Sequence, residues 1–338
     1  MTRATRPLVV LAVLAATGLA VSACGQKSDV LGPPSQIKLN LMLDFFPNAD
    51  HAAIYAAIAH GDFRRAGLEV SPQVPSDPAA PLKLLAAGRA DLAISYEPEV
   101  LLARDHGLRL VSVAALVQRP LTSIIALGKK HISRVSQLGG KRVGTAGIPY
   151  QSAELATALQ RAGVPSSRVR EINVGFNLVP AMLSGKVDAT LGGFWNYEGI
   201  QLAMAHKNPT VIPVDQAGVP SYDELVLVVR QDEARHQGAM VRAFLQALTR
   251  GEQEVRADPA AAIAPLLAAN RDLDRRLQLA SVRRTLPVTL PSGGHPFGYQ
   301  DPAAWDSFGG WMYQHRLLSQ PPNAGQALTN EFLPGQGI

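Results

Sequence analysis

From residue 37 onward the chain alternates short apolar strands with helices, and this alternation limits the possible folds more than any other feature. Residues 37–43 show the period-two pattern of a strand with one buried face, and a helix carrying Ile54 and Ile58 follows. The segment 78–88 has the pattern of a helix and leads into a buried strand at 90–94. Repeated strand–helix–strand units predict an α/β fold built on mostly parallel sheets.

Two copies of one local pattern indicate that this fold has two similarly built lobes. The segments GRAD (88–91) and GKVD (185–188) each precede an apolar strand, and glycine there suits the left-handed turn that ends a helix. An apolar strand ends near residue 127 and a return strand begins after residue 222. We therefore predict that the chain crosses twice between the lobes, with residues 37–127 and 222–338 in lobe 1 and residues 128–221 in lobe 2.

The first 24 residues have the pattern of an export signal. Arg3 and Arg6 form a basic start, an apolar run follows, and VSAC (21–24) places small residues before the only cysteine of the chain. This segment resembles a bacterial lipobox, which implies cleavage after residue 23 and lipidation of Cys24. A plain secretory signal and an uncleaved membrane anchor remain alternatives. Residues 24–36 lack an apolar period and are predicted to be a lipidated tether.

Composition narrows the class of protein further. The chain has 338 residues, of which 47% are hydrophobic, enough for about two domains with real cores. Loss of Arg3 and Arg6 with the signal would lower the formal charge from +5 to +3, since no acidic residue leaves with them. So small and evenly spread a charge argues against nucleic acid as a partner. We expect an exported monomer that faces the periplasm or the extracellular side.

Aromatic residues recur in the loops that follow the predicted strands. In open α/β sheets ligands bind at these strand ends, because backbone N–H groups and polar side chains converge there. Packing between the lobes is the alternative role for such rings, and it is favoured for Phe46 and Phe194. The rings predicted to stack on a flat, heteroaromatic solute are Phe45, Tyr96 and Trp195, and Tyr222 lies in another of these loops.

Polar residues of the same loops are predicted to orient the solute. Glu97 and Glu198 can accept hydrogen bonds from an exocyclic amine or a ring N–H, and Glu198 follows three aromatic residues within five positions. A solvated position at the rim is the alternative for Glu97. The side chains that can both donate and accept are those of Asn48, Asn196 and His51.

Other polar residues lie at predicted helix starts. Asn48 can cap the first helix instead of binding a ligand, and the two roles are left open. The segment from Tyr150 through Gln151 to Ser152 precedes a further helix N-terminus, where it could hold an anionic or formyl end of the ligand.

The sequence lacks the motifs of common catalytic and metal sites. It has no Gly-rich dinucleotide loop, no phosphate loop and no histidine pair at metal-ligand spacing. Ser152, His51 and Asp44 could be drawn as a hydrolase triad, but no Gly-x-Ser-x-Gly segment frames the serine. We therefore predict a binding protein without a metal, a cofactor or catalytic residues.

Several blocks of the sequence resemble one family of transport proteins. LDFFPNADHAAIY (43–55), GFWNYEG (193–199), VPSYDELV (219–226), FGYQDP (297–302) and WMY (311–313) are similar to blocks of periplasmic binding proteins for the thiamine pyrimidine precursor. The resemblance covers roughly residues 37–320. It implies a two-lobed periplasmic binding protein fold of type II, with a central cleft that closes on its solute. It also implies an ABC permease as the membrane partner. Riboflavin-like and sulfonate ligands occur in the wider group, so the solute stays open.

The same superfamily contains a yeast enzyme that makes the pyrimidine from pyridoxal phosphate and its own histidine. After the segment GRAD (88–91), the positions that match its cofactor lysine and donor histidine read Ser95 and Glu99. The cysteine-rich iron motif of that enzyme is missing as well. Without a Schiff-base amine, a donor imidazole or thiolates, this chain is not expected to carry out that chemistry. An exported enzyme or sensor on the same fold remains the least favoured alternative.

Overall fold

The computed structural model describes residues 36–335, which form two five-stranded sheets flanked by helices. The predicted signal peptide, Cys24 and nearly all of the tether lie outside the described residues. The strands are β1 (Ile37–Met42), β2 (Leu68–Gln73), β3 (Leu92–Ser95), β4 (Leu110–Val117), β5 (Thr122–Ala126), β6 (Arg142–Thr145), β7 (Arg170–Asn173), β8 (Ala189–Phe194), β9 (Thr210–Pro213) and β10 (Leu225–Arg230).

Helices connect most of these strands and cover the sheets. In order they are α1 (Ala52–Ala59), α2 (Asp62–Arg65), α3 (Pro81–Ala86), α4 (Glu97–Asp105), α5 (Gln151–Arg161), α6 (Leu178–Leu183), α7 (Glu198–Met204), α8 (Val214–Ala217), α9 (Gln231–His236), α10 (Gly238–Ala257), α11 (Pro259–Ala262), α12 (Ala264–Ala269), α13 (Arg275–Thr285), α14 (Pro302–Gln314) and α15 (Ala324–Ala327). Among the described residues, no helix has the length and apolar character needed to span a membrane.

The two sheets share one topology. Sheet 1 has the order β2-β1-β3-β10-β4 and sheet 2 the order β7-β6-β8-β5-β9. The repeated segments GRAD and GKVD precede β3 and β8, which take the same central place in their sheets. The α/β fold with two lobes is thus confirmed. The sheets are mixed, however, because β5 and β10 run antiparallel to both of their neighbours.

The first crossing between the sheets lies earlier in the chain than the sequence pattern indicated. The strand at 122–126, which the prediction placed in lobe 1, pairs with β8 and β9 in sheet 2. The chain therefore leaves sheet 1 after Val117, and the turn at 118–121 forms the crossing. Alternation of strands and helices cannot reveal this exchange, because β5 follows β4 with no helix between them.

The buried carboxylate of Glu224 ties the two crossings together. Its Oε2 accepts hydrogen bonds from the backbone N–H groups of Leu121 (2.6 Å) and Thr122 (2.9 Å). Its Oε1 accepts a third bond from the Thr122 hydroxyl (2.9 Å). Glu224 precedes β10 in the second crossing, whereas Leu121 and Thr122 belong to the first. One side chain thus satisfies buried donors of the other chain segment.

Helix α10 approaches helix α1 unusually closely at Gly251. A Cβ atom at this position would lie 2.1 Å from the carbonyl oxygen of Ala53, closer than any real contact. Only glycine allows this approach. The C-terminal half of α10 is consequently held against α1.

Candidate functional site

A pocket between the two sheets collects residues from the carboxyl ends of strands in both of them. About 470 Å³ of space there is free of protein atoms, including solvent at the mouth. The pocket is lined by Asp44, Phe45, Asn48, Pro78, Tyr96, Thr122, Ala146, Ile148, Tyr150, Gln151, Leu178, Gly192, Phe194, Tyr197 and Glu198.

A chain of hydrogen bonds fixes the carboxylate of Asp44 at the floor of this pocket. The backbone N–H of Asn48 donates to Nδ1 of His51 (3.2 Å), so Nε2 carries the ring proton and donates it to Oδ1 of Asp44 (2.9 Å). The Tyr96 hydroxyl donates to Oδ2 of the same carboxylate (2.9 Å). His51 is fully buried and does not line the pocket. Its role in the structure is to orient Asp44.

Asn48 caps a helical turn and also lines the pocket. Its side-chain Oδ1 accepts the N–H of Asp50 (2.8 Å) and caps the turn Ala49–His51 that leads into α1. It also lines the pocket beside Phe45.

Glu198 lies opposite, at the first turn of α7, and is 7% exposed. Its Oε2 accepts the backbone N–H of Phe194 (2.7 Å). Burial raises the pKa of this carboxyl to about 7, although the bonds from backbone N–H groups oppose the shift. Near neutral pH the group can therefore bind as an acid or as a carboxylate.

Gln151 and Tyr150 enter the pocket from the start of α5. Oε1 of Gln151 accepts the N–H of Ala146 (2.9 Å). Its amide nitrogen lies against Gly192, where a Cβ atom would come within 2.6 Å of it, and Gly192 has a φ of +111°. A side chain at position 192 would displace the glutamine. The ring of Tyr150 is buried 6.2 Å from that of Tyr96.

Phe45, which lines the pocket, contacts two further phenylalanines. Phe176, between β7 and α6, lies 4.9 Å from both Phe45 and Phe46 in ring-centroid distance. Phe46 is half exposed. These contacts agree with interlobe packing for Phe46, whereas Phe45 takes part in this packing and also lines the pocket.

Three of the predicted ligand-binding residues do not line the pocket, and for Glu97 and Ser152 the start of a helix directs the side chain elsewhere. Glu97 is the first residue of α4, and its Oε2 accepts the N–H of Asp223 (2.7 Å). Ser152 is exposed and donates to Oε1 of Glu171 (2.8 Å). The hydrolase triad is therefore not assembled: His51 pairs with Asp44, but its other ring nitrogen accepts the N–H of Asn48, and Ser152 bonds to Glu171 instead. Tyr222 is buried against Phe308, with the ring centroids 4.8 Å apart.

Trp195 and Asn196 also lie outside the pocket. The indole N–H of Trp195 donates to the carbonyl of Pro120 (2.9 Å), and Arg284 stacks over the ring on the outer side. Asn196 donates from Nδ2 to Oδ1 of Asp50 (2.7 Å) and to Thr285 (2.6 Å), which joins sheet 2 to sheet 1. Trp195 therefore contacts the first crossing segment, and Asn196 joins the two lobes.

The predicted set omits several residues that line the pocket. Asp44 marks the end of the first strand pattern, and that break is the signal that identifies it. Phe194 and Tyr197 stand in the same aromatic block as Glu198. Other lining residues that the prediction omits come together through contacts between distant parts of the chain, and their residue types do not mark them as pocket residues. Among them are Pro78, Thr122, Ala146, Ile148 and Leu178.

Two mixed sheets, two crossings and a pocket between the strand ends define the two-lobed periplasmic binding protein fold. A solved example is the aliphatic sulphonate binding protein of Escherichia coli, which matches 88% of this chain and 99% of its own with a TM-score of 0.67 and 17% identity. The model of the family described as NMT1/THI5 like matches residues 48–262. The chain belongs to this family.

The chain is similar in sequence to relatives with two different activities. The formylaminopyrimidine-binding protein of Halalkalibacterium halodurans is 35% identical, covering 86% of this chain and 89% of the relative. The 4-amino-5-hydroxymethyl-2-methylpyrimidine phosphate synthase of Legionella pneumophila is 23% identical, covering 88% and 92%. The chain is thus more similar to the binding protein than to the synthase.

Proposed function

We propose that this chain is the exported, lipid-anchored solute-binding protein of an ABC importer and that its solute is a thiamine pyrimidine precursor. The observation that carries the proposal is the pairing of flat rings with two buried carboxyl groups, Asp44 and Glu198, in one interlobe pocket. Rings stack on a heteroaromatic face, and carboxyl groups accept hydrogen bonds from amino groups. The formylaminopyrimidine-binding relative supports the same solute class.

The charge of the pocket favours this solute over a sulfonate. Among the described residues that line it, none is a lysine or an arginine, while Asp44 and Glu198 are acidic. A sulfonate would meet carboxylates without a compensating cation, which disfavours its binding. An aminopyrimidine carries an amino N–H donor beside an acceptor ring nitrogen. A carboxyl group with one proton can accept from the amino group through one oxygen and share its proton with the ring nitrogen through the other.

The residues at the positions that match the synthase's functional residues support solute binding rather than catalysis. The positions compared with the yeast synthase hold Ser95, whose hydroxyl donates to Oε2 of Glu99 (2.8 Å) in a buried pair. Neither side chain can form a Schiff base with pyridoxal phosphate, and the lining residues include no lysine.

Capture would proceed by closure of the two lobes over the solute. The contacts that join the sheets across the pocket are those of Asn196 with Asp50 and of Phe176 with Phe45. Both pairs are in contact in the structure, so it corresponds to the closed arrangement; opening would separate them, and closure over the solute would re-form them and bury the ligand between side chains of both lobes.

Thermal denaturation and small-angle scattering of the purified chain test the solute and the closure together. The panel contains a formylaminopyrimidine, a hydroxymethylpyrimidine, thiamine, riboflavin and an alkanesulfonate. An aminopyrimidine at hundredfold excess over its Kd is expected to raise Tm by about 3–6 °C and to reduce the radius of gyration. A response to the sulfonate or riboflavin alone would contradict the pyrimidine assignment, and an unchanged radius at saturation would contradict closure.

The membrane anchor is proposed at Cys24, and an ABC permease is the proposed partner in the membrane. Lipidation of this single thiol would hold a monomeric carrier at the outer face of the cell membrane. In Cys24→Ser we expect the protein to move from the membrane fraction to the soluble exported fraction, as immunoblotting of the two fractions would reveal. If the variant stays in the membrane fraction, an uncleaved anchor replaces the lipid in the proposal.

A further inference from the structure

We propose that His60, Asp62 and Glu254 form a binding site for a divalent transition-metal ion, for which Zn²⁺ is the best match. The site lies where helices α1, α2 and α10 meet, and none of its residues lines the solute pocket. Each residue offers one ligand atom, and the three atoms lie within 4.8 Å of one another. One imidazole and two carboxylates are ligands that zinc accepts in proteins.

The fold brings these residues together from three helices. His60 caps the end of α1, and Asp62 begins α2 after Gly61, which turns the chain with a φ of +75°. Glu254 lies one turn beyond Gly251 on α10, where that helix approaches the backbone of α1. The close approach at Gly251 therefore places the glutamate beside the histidine, and the Nδ1 of His60 contacts Oε2 of Glu254 directly.

Asp62 provides the observation that calls for a cation. The residue is only 1% exposed, and its Oδ2 is buried with no hydrogen-bond donor among the described residues. Its Oδ1 accepts a bond from Arg65 (2.7 Å), and Arg250 lies 3.8 Å from the same oxygen. A buried carboxylate oxygen without a partner costs free energy. A bound metal ion would satisfy Oδ2, while Arg65 holds the carboxylate in place as outer partners do at metal sites.

The ligand types and their freedom to move favour zinc. An imidazole ligand argues against Ca²⁺ and Mg²⁺, which prefer oxygen. At zinc bond lengths of about 2.0–2.1 Å, ligand atoms lie about 3.4 Å apart in a tetrahedral site. The side chains of His60 and Glu254 are 52% and 33% exposed, so both can adjust around buried Asp62. Water would complete the tetrahedron, and His60 would bind the ion through Nδ1 with its ring proton on Nε2.

Titration calorimetry of the untagged, chelator-treated chain with ZnCl₂ alone tests the site. We expect one ion per chain and a Tm rise of about 3–6 °C at hundredfold excess over the Kd. Replacement of Zn²⁺ by Co²⁺ is expected to give the intense visible absorption of a tetrahedral site. Affinity should fall as pH drops, because protons compete with the metal ion for the ligand atoms.

Two partly exposed ligands allow the site to be removed without disturbing the core. His60→Ala and Glu254→Gln are each expected to weaken Zn²⁺ binding at least about tenfold while leaving the metal-free Tm within about 2 °C. His236→Ala, which removes an exposed histidine of α9, is the matched control and should bind as the wild type does. No binding by the wild type, or equal binding by the His60→Ala and Glu254→Gln variants, would overturn the proposal. The solute pocket contains none of these residues, so the result is independent of the proposed transport function.

Discussion

Replacing Glu198 with glutamine is expected to weaken binding of an aminopyrimidine by about 100-fold, which corresponds to about 2.7 kcal/mol. The carboxyl group lies in the pocket, and its Oε2 already accepts the N–H of Phe194. Glutamine keeps the shape and can still accept that bond. It cannot exchange a proton with the solute, and its amide nitrogen would face the donor of an exocyclic amine. Calorimetric titration of both proteins with the solute measures the difference.

The dependence of this binding on pH follows from the raised pKa of Glu198, which burial places at about 7. We infer that the complex holds one proton between the carboxyl and the ring nitrogen. Below pH 7 the free protein already carries that proton, so affinity should be nearly flat. Above pH 7 the proton must be taken up on binding, so affinity should fall up to tenfold per pH unit.

Two controls separate this effect from a general change in the protein. Glu198→Gln should lose the decline above pH 7, because position 198 no longer titrates. Glu252→Gln removes another buried carboxyl whose pKa burial raises to about 7, but one bonded to Thr289 and outside the pocket. That variant should bind with the wild-type pH profile. A decline that persists unchanged in Glu198→Gln would contradict the shared-proton interpretation.

The sequence could predict which loops meet at the site, but not which side chains within them face it. Period-two patterns locate strand ends, and strand ends of one sheet converge. The next residue begins a helix, where the side-chain direction changes with each 100° step. Tyr96 therefore reaches Asp44, while the side chain of Glu97 bonds to the backbone of Asp223.

Contacts between distant segments set a second limit on prediction. Asp44 and Tyr96 are 52 residues apart, and Asn196 reaches Asp50 across 146 residues. Nothing in a local pattern distinguishes an asparagine that faces a ligand from one that joins two lobes. The first crossing was misplaced for the same kind of reason, because strand exchange between sheets is a property of pairing partners rather than of local sequence.

The largest loss of stability is expected at Glu224, where one carboxylate joins the two crossings. In Glu224→Ala, the N–H groups of Leu121 and Thr122 and the Thr122 hydroxyl lose their acceptor in a buried setting. Unsatisfied buried donors cost about 1–3 kcal/mol each before relaxation, so we expect a loss of about 3–5 kcal/mol in the free energy of unfolding. Urea denaturation followed by circular dichroism measures this loss.

The effect of pH identifies the cause of that loss. Burial raises the pKa of Glu224 to about 7 from a value of 4.5, so between these limits the folded protein holds a proton that the unfolded chain releases. This group therefore makes the wild type less stable as pH rises from about 5 to 8. Because Glu224→Ala lacks this titration, the difference in the free energy of unfolding between the two proteins should be larger at pH 5 than at pH 8.

The matched control is Glu171→Ala, at an exposed glutamate that accepts bonds from Ser152 and Thr145. Its free energy of unfolding should stay within about 0.5 kcal/mol of the wild-type value at both pH values. A Glu224→Ala protein as stable as this control would mean that the crossings are held by their strand pairing alone.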